Sequence, residues 1–304
     1  MRYGFDEIAN YFPQRLRGII LSALNESNIE EIRIRVDKPI QVMGANLERL
    51  YHKYIVTKAE CDALLESFCQ HSVYSCEEDM RHGFITLPTC GVRVGLSGSV
   101  TERHGHVERF RSVTGFCIRI PCEHLHCSAT LCAATGGLSK SLLIASSPGV
   151  GKTTLLRDMA RELSDVYMKK VCIVDERSEI AGSYFGIPSF NVGVRTDVID
   201  NCPKKDGMEM ALRTLSPHVL ITDELGEQAE FDCVFRAMHS GVHVAVSVHS
   251  DSLDDIAFRF GALSDAVGYI AVLKVHNARR ICILKDTSGG MSQMINLSRE
   301  EVVI

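Results

Sequence analysis

In the first third of the chain, hydrophobic positions repeat every second residue in some stretches and every third or fourth in others. Ile32, Ile34 and Val36 alternate with Arg33 and Arg35, the period of a strand with one buried face. Asp37-Lys38-Pro39 breaks the run, and residues 40–43 read as its hairpin partner. Thr57 followed by Glu60 has the spacing of a capping box, and Leu64, Leu65 and Phe68 continue behind it at helical spacing. Residues 83–87 and 91–96 flank Pro88-Thr89-Cys90 and predict a second hairpin, and residues 116–120 predict one more strand. Residues 16–24 carry an apolar stripe, which predicts an amphipathic helix packed on its own domain. Together these elements predict a small α+β domain over residues 1–125, without a catalytic constellation of its own.

The pattern changes after residues 121–137, a junction rich in Cys, His, Ala, Thr and Gly with no sustained period. Short strands that are apolar throughout (residues 141–145, 171–174, 219–222 and 244–248) now alternate with helical stretches. That order implies βαβ units and a mostly parallel sheet. Residues 269–275 and 280–284 predict a closing edge hairpin.

The first of these strands runs into Ser146-Ser147-Pro148-Gly149-Val150-Gly151-Lys152-Thr153-Thr154, and Leu155, Leu156, Met159 and Leu163 then form a helical stripe with Arg157, Asp158, Arg161 and Glu162 on the other side. Strand, glycine loop and helix in this order form the context of a phosphate-binding P-loop. Gly149 and Gly151 allow the backbone to approach an oxyanion without a Cβ in the way. Backbone N–H groups from Ser147 to Thr154, Pro148 having none, would face the phosphates, Lys152 would add a point charge, and the Thr153 hydroxyl would ligate Mg²⁺. Ser146 stands where the usual motif begins with glycine. The expected fold of residues 126–304 is therefore an α/β, RecA-like P-loop NTPase domain with a mostly parallel sheet, preceded by the smaller α+β domain.

Three other strands end in chemistry-bearing residues. Residues 219–222 run into Asp223-Glu224. Asp223 is the candidate for the Mg²⁺ shell, and Glu224 for orienting the attacking water. Residues 171–174 run into Asp175-Glu176-Arg177-Ser178-Glu179, which makes Glu176 a second candidate for the water. Residues 243–248 run into His249, and either Ser247 or His249 could hydrogen-bond a γ-phosphate. Arg195 and Arg213 are candidates for an arginine reaching a neighbour's γ-phosphate, a contact worth about 10³–10⁵ in rate.

Composition narrows the classes. The 304 residues are 45% hydrophobic and 23% charged with a net charge of −5, values of an ordinary globular protein with no nucleic-acid footprint. Lys204-Lys205 and Arg279-Arg280 are only pairs and read as solvated faces. The 12 cysteines are scattered through a long chain and read as reduced, packed thiols. Cys122, His124, His126, Cys127 and Cys132 do not have the spacing of a zinc site. No run reaches the roughly 18 apolar residues of a membrane span, and there is no signal-peptide core, so the cytoplasm is expected.

The run Gly193-Val194-Arg195-Thr196-Asp197-Val198 with Cys202-Pro203-Lys204, then Gly207-Met208 with Arg213, and Leu215-Ser216-Pro217 before Asp223-Glu224-Leu225-Gly226, resembles the stage III AA sporulation proteins, relatives of secretion and pilus motor ATPases. Gly241-Val242 through Val248-His249 resembles the histidine box of secretion ATPases. Glu31-Ile32-Arg33-Ile34-Arg35 with Lys38-Pro39, Arg93-Val94-Gly95-Leu96 with Gly98, and Ile118-Arg119-Ile120 also fit, so the resemblance spans nearly the whole chain. It implies an ATP-hydrolysing motor that uses ATP and Mg²⁺, on the mother-cell side of the forespore membrane. It also implies a homo-oligomer, a hexameric ring, whose partners are membrane-embedded sporulation channel proteins. In such rings the N-terminal domain of one subunit lies near the nucleotide of another, which makes Arg93 and Arg119 trans-acting candidates. Three other classes compete with this reading. A GTP switch would need an Asn-Lys-x-Asp segment, which the sequence lacks. A RecA-like DNA motor is disfavoured by the acidic balance. A nucleotide-binding scaffold without sustained hydrolysis is opposed by Glu224 and favoured by Ser146.

Overall fold

A computed structural model describes residues 5–24, 29–44, 47–70, 72, 76–87, 92–103, 106–120, 124–183, 186–276, 279–290 and 292–297. The chain divides into two compact units, Met1–Glu123 and His124–Ile304.

The first unit is a six-stranded sheet in the order β3-β2-β1-β6-β5-β4, with α1 (Phe5–Asn10), α2 (Gln14–Leu24), α3 (Lys58–Phe68) and α4 (Glu77–Arg81). Its strands are β1 (Ile29–Arg35), β2 (Pro39–Gly44), β3 (Leu47–Ile55), β4 (Phe84–Thr86), β5 (Arg93–Arg103) and β6 (His106–Arg119), and every pairing is antiparallel. The alternation seen in the sequence sends Ile32 and Ile34 into the core. Leu16, Ile19, Ile20, Ala23 and Leu24 of α2 join the same core, so its stripe is satisfied within the unit. Thr57 and Glu60 cap α3 reciprocally. β4 and β5 form the second hairpin, and its Pro88-Thr89-Cys90 turn lies outside the described residues. β3 was not anticipated, because most of its side chains are exposed and its burial does not alternate.

The second unit is an eight-stranded sheet in the order β14-β13-β12-β7-β11-β10-β8-β9. The strands are β7 (Leu142–Ser146), β8 (Val171–Asp175), β9 (Thr196–Asp200), β10 (Val219–Thr222), β11 (His243–His249), β12 (Tyr269–His276), β13 (Arg279–Asp286) and β14 (Ser292–Asn296). The six from β12 to β9 in sheet order are parallel, and β13 and β14 add antiparallel to one side. The expected edge hairpin β12–β13 is present, but β14 covers it and forms the edge. β7 shows why its run is apolar throughout. Leu142 and Ile144 enter one core with Leu155, Leu156, Met159 and Leu163 of α6 (Lys152–Asp165). Leu143 and Ala145 enter the core on the other face. That face carries α7 (Lys204–Thr214), α8 (Gln228–His239) and α9 (Leu253–Ala266). Helices on both faces of a parallel sheet leave the carboxyl ends of β7, β10 and β11 as the binding edge.

Within the junction, residues 129–134 form α5 (Ala129–Ala134), too short to show a period. One expectation fails around α6. The polar side of α6 does not face solvent. Asp158, Arg161 and Glu162 are buried. One oxygen of Asp158 accepts the His126 N–H at 2.9 Å and Arg161 Nε at 2.9 Å; the other accepts the Ser128 N–H and Oγ at 2.8 Å. Arg161 Nη2 also reaches Glu162 Oε1, which lies 2.9 Å from His126 Nδ1. Burial works against this carboxylate, but the Ser128 and Arg161 donors hold Asp158 below the usual carboxylate range. The helix pattern assumes water on the polar side. Here residues 124–128 take water's place.

Asp158→Ala leaves a buried guanidinium and buried amides without their acceptor, so the second unit should lose about 3–5 kcal/mol of stability. Urea denaturation measures this; a loss below about 1 kcal/mol would show that the network contributes little.

Candidate functional site

The P-loop begins at the end of β7. Ser146 is wholly buried and lies in ordinary strand backbone opposite His249, so the position has no conformational need for glycine. Its hydroxyl donates to the Ser147 carbonyl at 2.8 Å. Ser147, Pro148 and Gly149 are exposed and Val150 is half-buried. Gly149 has φ 77° and Gly151 φ 106°, both left-handed, where side chains are strongly disfavoured. Gly151 is the N-cap of α6 and provides no side-chain cap, whereas Thr57 and Ser252 cap α3 and α9. The first amides of α6, including those of Lys152, Thr153 and Thr154, are therefore available to an anion together with the helix dipole.

Lys152 is 5% exposed. Its ammonium donates to the Ser146 carbonyl at 3.2 Å, to Ser146 Oγ at 3.4 Å and to His249 Nδ1 at 3.0 Å. An ammonium has donors only, so Nδ1 must accept, and the ring proton sits on Nε2. Nε2 lies 3.0 Å from Glu224 Oε1, to which it donates. Glu224 Oε2 lies 3.6 Å from Arg177 Nη1. Lys152, His249, Glu224 and Arg177 thus form one chain across the cleft. Burial lowers the affinity of Lys152 for its proton, and the charges of Glu224 and Asp223 partly restore it.

Glu224 has φ 45°, an unusual conformation for glutamate, one that costs about 1–3 kcal/mol. The backbone is held there by Ser247, whose Oγ accepts the Glu224 N–H at 2.9 Å and whose carbonyl accepts the Leu225 N–H at 2.9 Å. Ser247 is fully buried with its hydroxyl on the Glu224 N–H, whereas His249 is half-buried between Lys152 and Glu224.

Asp223 is 5% exposed, and among the described residues no donor lies on its carboxylate. Burial, then the charges of Asp175, Glu179 and Glu224 opposed by Lys204, push it up to about 6. A buried carboxylate in an acid-rich pocket, next to a loop that bears a threonine hydroxyl, fits a divalent cation. Among the described residues no cluster of three or more His, Cys, Asp or Glu could hold a metal alone. The remaining ligands would have to be Thr153, ligand oxygens and water, which is the habit of Mg²⁺.

The other acids have different roles. Asp175 is wholly buried and accepts the N–H groups of Glu179, Ile180 and Ala181 at 2.9, 2.9 and 2.8 Å, folding the loop after β8. Glu176 Oε2 accepts from Lys204 Nζ at 2.9 Å, and Glu230 lies 3.6 Å from the same ammonium. Glu176 is therefore committed to Lys204, which weighs against its orienting water. Lys204 is buried and paired, not a solvated face; Pro203 before it, at the start of α7, was the available sequence signal. Glu176, Arg177, Lys204, Glu224, Glu227 and Glu230 line a cleft of about 350 Å³.

The arginines are spread out. Arg195 donates to the Ser164 carbonyl at 3.1 Å, at the far end of α6, about 20 Å along the helix from the P-loop. It lies away from the chain's own loop. Arg213 is exposed, near Glu209, at the end of α7 away from Lys204. Arg93 lies over the Phe84 ring at 5.0 Å, and Arg119 is exposed. Arg280 is not a plain solvated face, and no local pattern marks it: it is half-buried, with its guanidinium against Gly151. In the Cys/His cluster, His126 is bound to Glu162, Cys132 is buried beside Ser128, and Cys122 lies outside the described residues.

Asp223 binds more protons folded than unfolded between about pH 4 and pH 6, so its ionisation destabilises the metal-free fold as pH rises through that window. Asp223→Asn should therefore stabilise metal-free protein at pH 8 by up to about 3 kcal/mol, and by much less at pH 4.5. Urea unfolding with a chelator at the two pH values is the measurement, and equal effects would contradict the charge-crowding account.

Comparison with known proteins agrees with this architecture. Stage III sporulation protein AA of Bacillus subtilis (strain 168) is 38% identical over 263 residues, 84% of each chain. The ATPase DotB of Legionella pneumophila superposes with a TM-score of 0.62 at 16% identity, over 95% of this chain and 82% of that one. The pilus retraction motor PilT, solved with bound ADP, superposes with a TM-score of 0.58 at 14% identity, over 93% and 83%. At such identities the structural likeness is one of fold, and it identifies the fold as the RecA-like α/β class expected from the motifs. The sequence also matches the family described as Sporulation stage III, protein AA over residues 4–295, and with a 38% identical relative spanning most of both chains, this protein belongs to that family.

Proposed function

We propose that the chain is an ATP-hydrolysing motor subunit that powers a channel between mother cell and forespore during endospore formation. The observation that carries the reading is the Lys152–His249–Glu224 chain beside the carboxylate of Asp223, which has no donor among the described residues. It joins an ammonium suited to phosphate to a carboxylate suited to water.

All three protons of Lys152 are engaged by protein acceptors. Phosphate oxygens would replace these acceptors, and the loop amides would hold the rest of the triphosphate. Bound Mg²⁺ supplies countercharge to the phosphate oxygens, with Thr153 and Asp223 as its protein ligands. Glu224, held in place through Ser247 and His249, orients and polarises the attacking water. Once Lys152 turns to phosphate, His249 Nδ1 loses its donor, and it can meet a γ-phosphate oxygen only by taking up a proton there. Glu176 has the lesser role of anchoring Lys204.

The remaining parts of the proposal follow from family membership. Subunits assemble as a hexameric ring, and an arginine of a neighbour (Arg195, Arg93 or Arg119) completes the charge at the γ-phosphate. The ring works in the mother-cell cytoplasm with membrane-embedded sporulation channel proteins as partners. Among the described residues no helix is long and apolar enough to cross a membrane, which fits attachment through those partners.

Lys152→Ala should reduce ATP affinity below detection by calorimetry; unchanged affinity would remove the phosphate-binding role. Glu224→Gln should bind ATP normally and release phosphate at least about 100-fold more slowly, in line with loss of a general base. Wild-type turnover in that variant would sink the assignment of Glu224.

A further inference from the structure

The sheet order places β10 and β11 on one side of β7, and β12 and β13 on the other. Glu224 follows β10 and His249 ends β11, so the chemistry of the cleft lies entirely on the first side. The second side also carries a chemistry-bearing residue. Arg280, on β13, lays its guanidinium against the P-loop at Gly151. A methyl group on Gly151 would lie 3.1 Å from Arg280 Nη1, 3.3 Å from Cζ and 3.7 Å from Nη2. Cys127 flanks the same turn, with its Sγ 4.0 Å from the Thr154 carbonyl. Gly151 is required by its φ of 106°, and a side chain there would also press on the guanidinium.

The polarity of a nucleotide decides what Arg280 meets. A triphosphate on the loop must direct its γ-end toward Glu224 and His249. Its α-phosphate and nucleoside then leave on the opposite side of β7, the side of β12 and β13. The phosphates are already served by the Lys152 ammonium and the loop amides, whereas Arg280 lies on the side from which a Gly151 side chain would project. A guanidinium offers a flat π-face and an in-plane fork of donors, which suit a base and a ribose. An ammonium offers neither.

We infer that Arg280 is a nucleoside-binding residue of this site, holding the base and ribose of the nucleotide while the loop holds its phosphates. The inference rests on the nucleotide reading proposed above and adds where the nucleoside lies and which residue selects it.

Calorimetry with Mg²⁺ compares ATP, ADP and inorganic tripolyphosphate on the full chain. Arg280→Ala should weaken ATP and ADP together by about tenfold, the usual scale of one base-stacking contact, and leave tripolyphosphate within about twofold. Arg280→Lys should weaken ATP and ADP similarly, because it keeps the charge and loses the plane; it also decides the case if the alanine variant fails to fold, as judged by ligand-free melting. Equal weakening of tripolyphosphate, or unchanged ATP and ADP in the folded variants, overturns the role of Arg280 while nucleotide binding by the wild type stands. If the wild type binds neither ATP nor ADP, the nucleotide reading itself fails and this inference falls with it.

Discussion

An ammonium taken out of water needs an acceptor for each proton, and the cleft is organised around how Lys152 finds its own. Two come from Ser146 at the end of β7 and one from His249 at the end of β11. These strands are adjacent and parallel, with His249 opposite Ser146 in register. A slip of one residue would turn His249 to the other face of the sheet and leave Lys152 short of an acceptor. Strand register, a property of the whole sheet, therefore sets the protonation pattern of the site: with Nδ1 accepting from Lys152, Nε2 can only donate to Glu224.

The acids across the cleft obey the opposite constraint. Asp175, Asp223 and Glu224 gather at neighbouring strand ends, where burial and the neighbouring acids disfavour the charges of Asp175 and Asp223. The fold relieves this unevenly. Asp175 is satisfied by three backbone amides, Glu176 and Glu230 share Lys204, and Glu224 is tied to His249 and Arg177. Asp223 alone of these has no donor among the described residues. The left-handed backbone at Glu224 belongs to the same arrangement, since Ser247 holds strain exactly where the carboxylate must be aimed. Such a site is stable enough to fold and retains unrelieved electrostatic demand for a cation and an anion.

Support comes from behind the loop as well. The buried Asp158–Arg161–Glu162 network fixes residues 124–128 along α6, and this places Cys127 beside Thr154. Arg280 approaches Gly151 from β13. The P-loop is thus held between two segments that lie far apart in the chain.

What the sequence determined by itself was everything local. Strand, glycine loop and helix around Lys152, acids following an apolar strand at Asp223 and Glu224, and the capping box at Thr57 are each written within about ten consecutive residues, where backbone geometry and burial period leave few choices. Most strands were legible for the same reason; β3, β9 and β14 were not, because exposed or half-buried edge strands show no clean period. Tertiary structure decided which polar groups meet. Asp158 and Arg161 look like a solvated helix face until the junction packs on them, Lys204 and Arg280 look like surface charge until α7 and β13 take their places, and the partners of Glu176 and Ser247, the Lys204 ammonium and the Glu224 amide, come from distant elements. The side-chain period of a helix or strand tells which residues share a face, but only long-range pairing tells whether water or protein covers it.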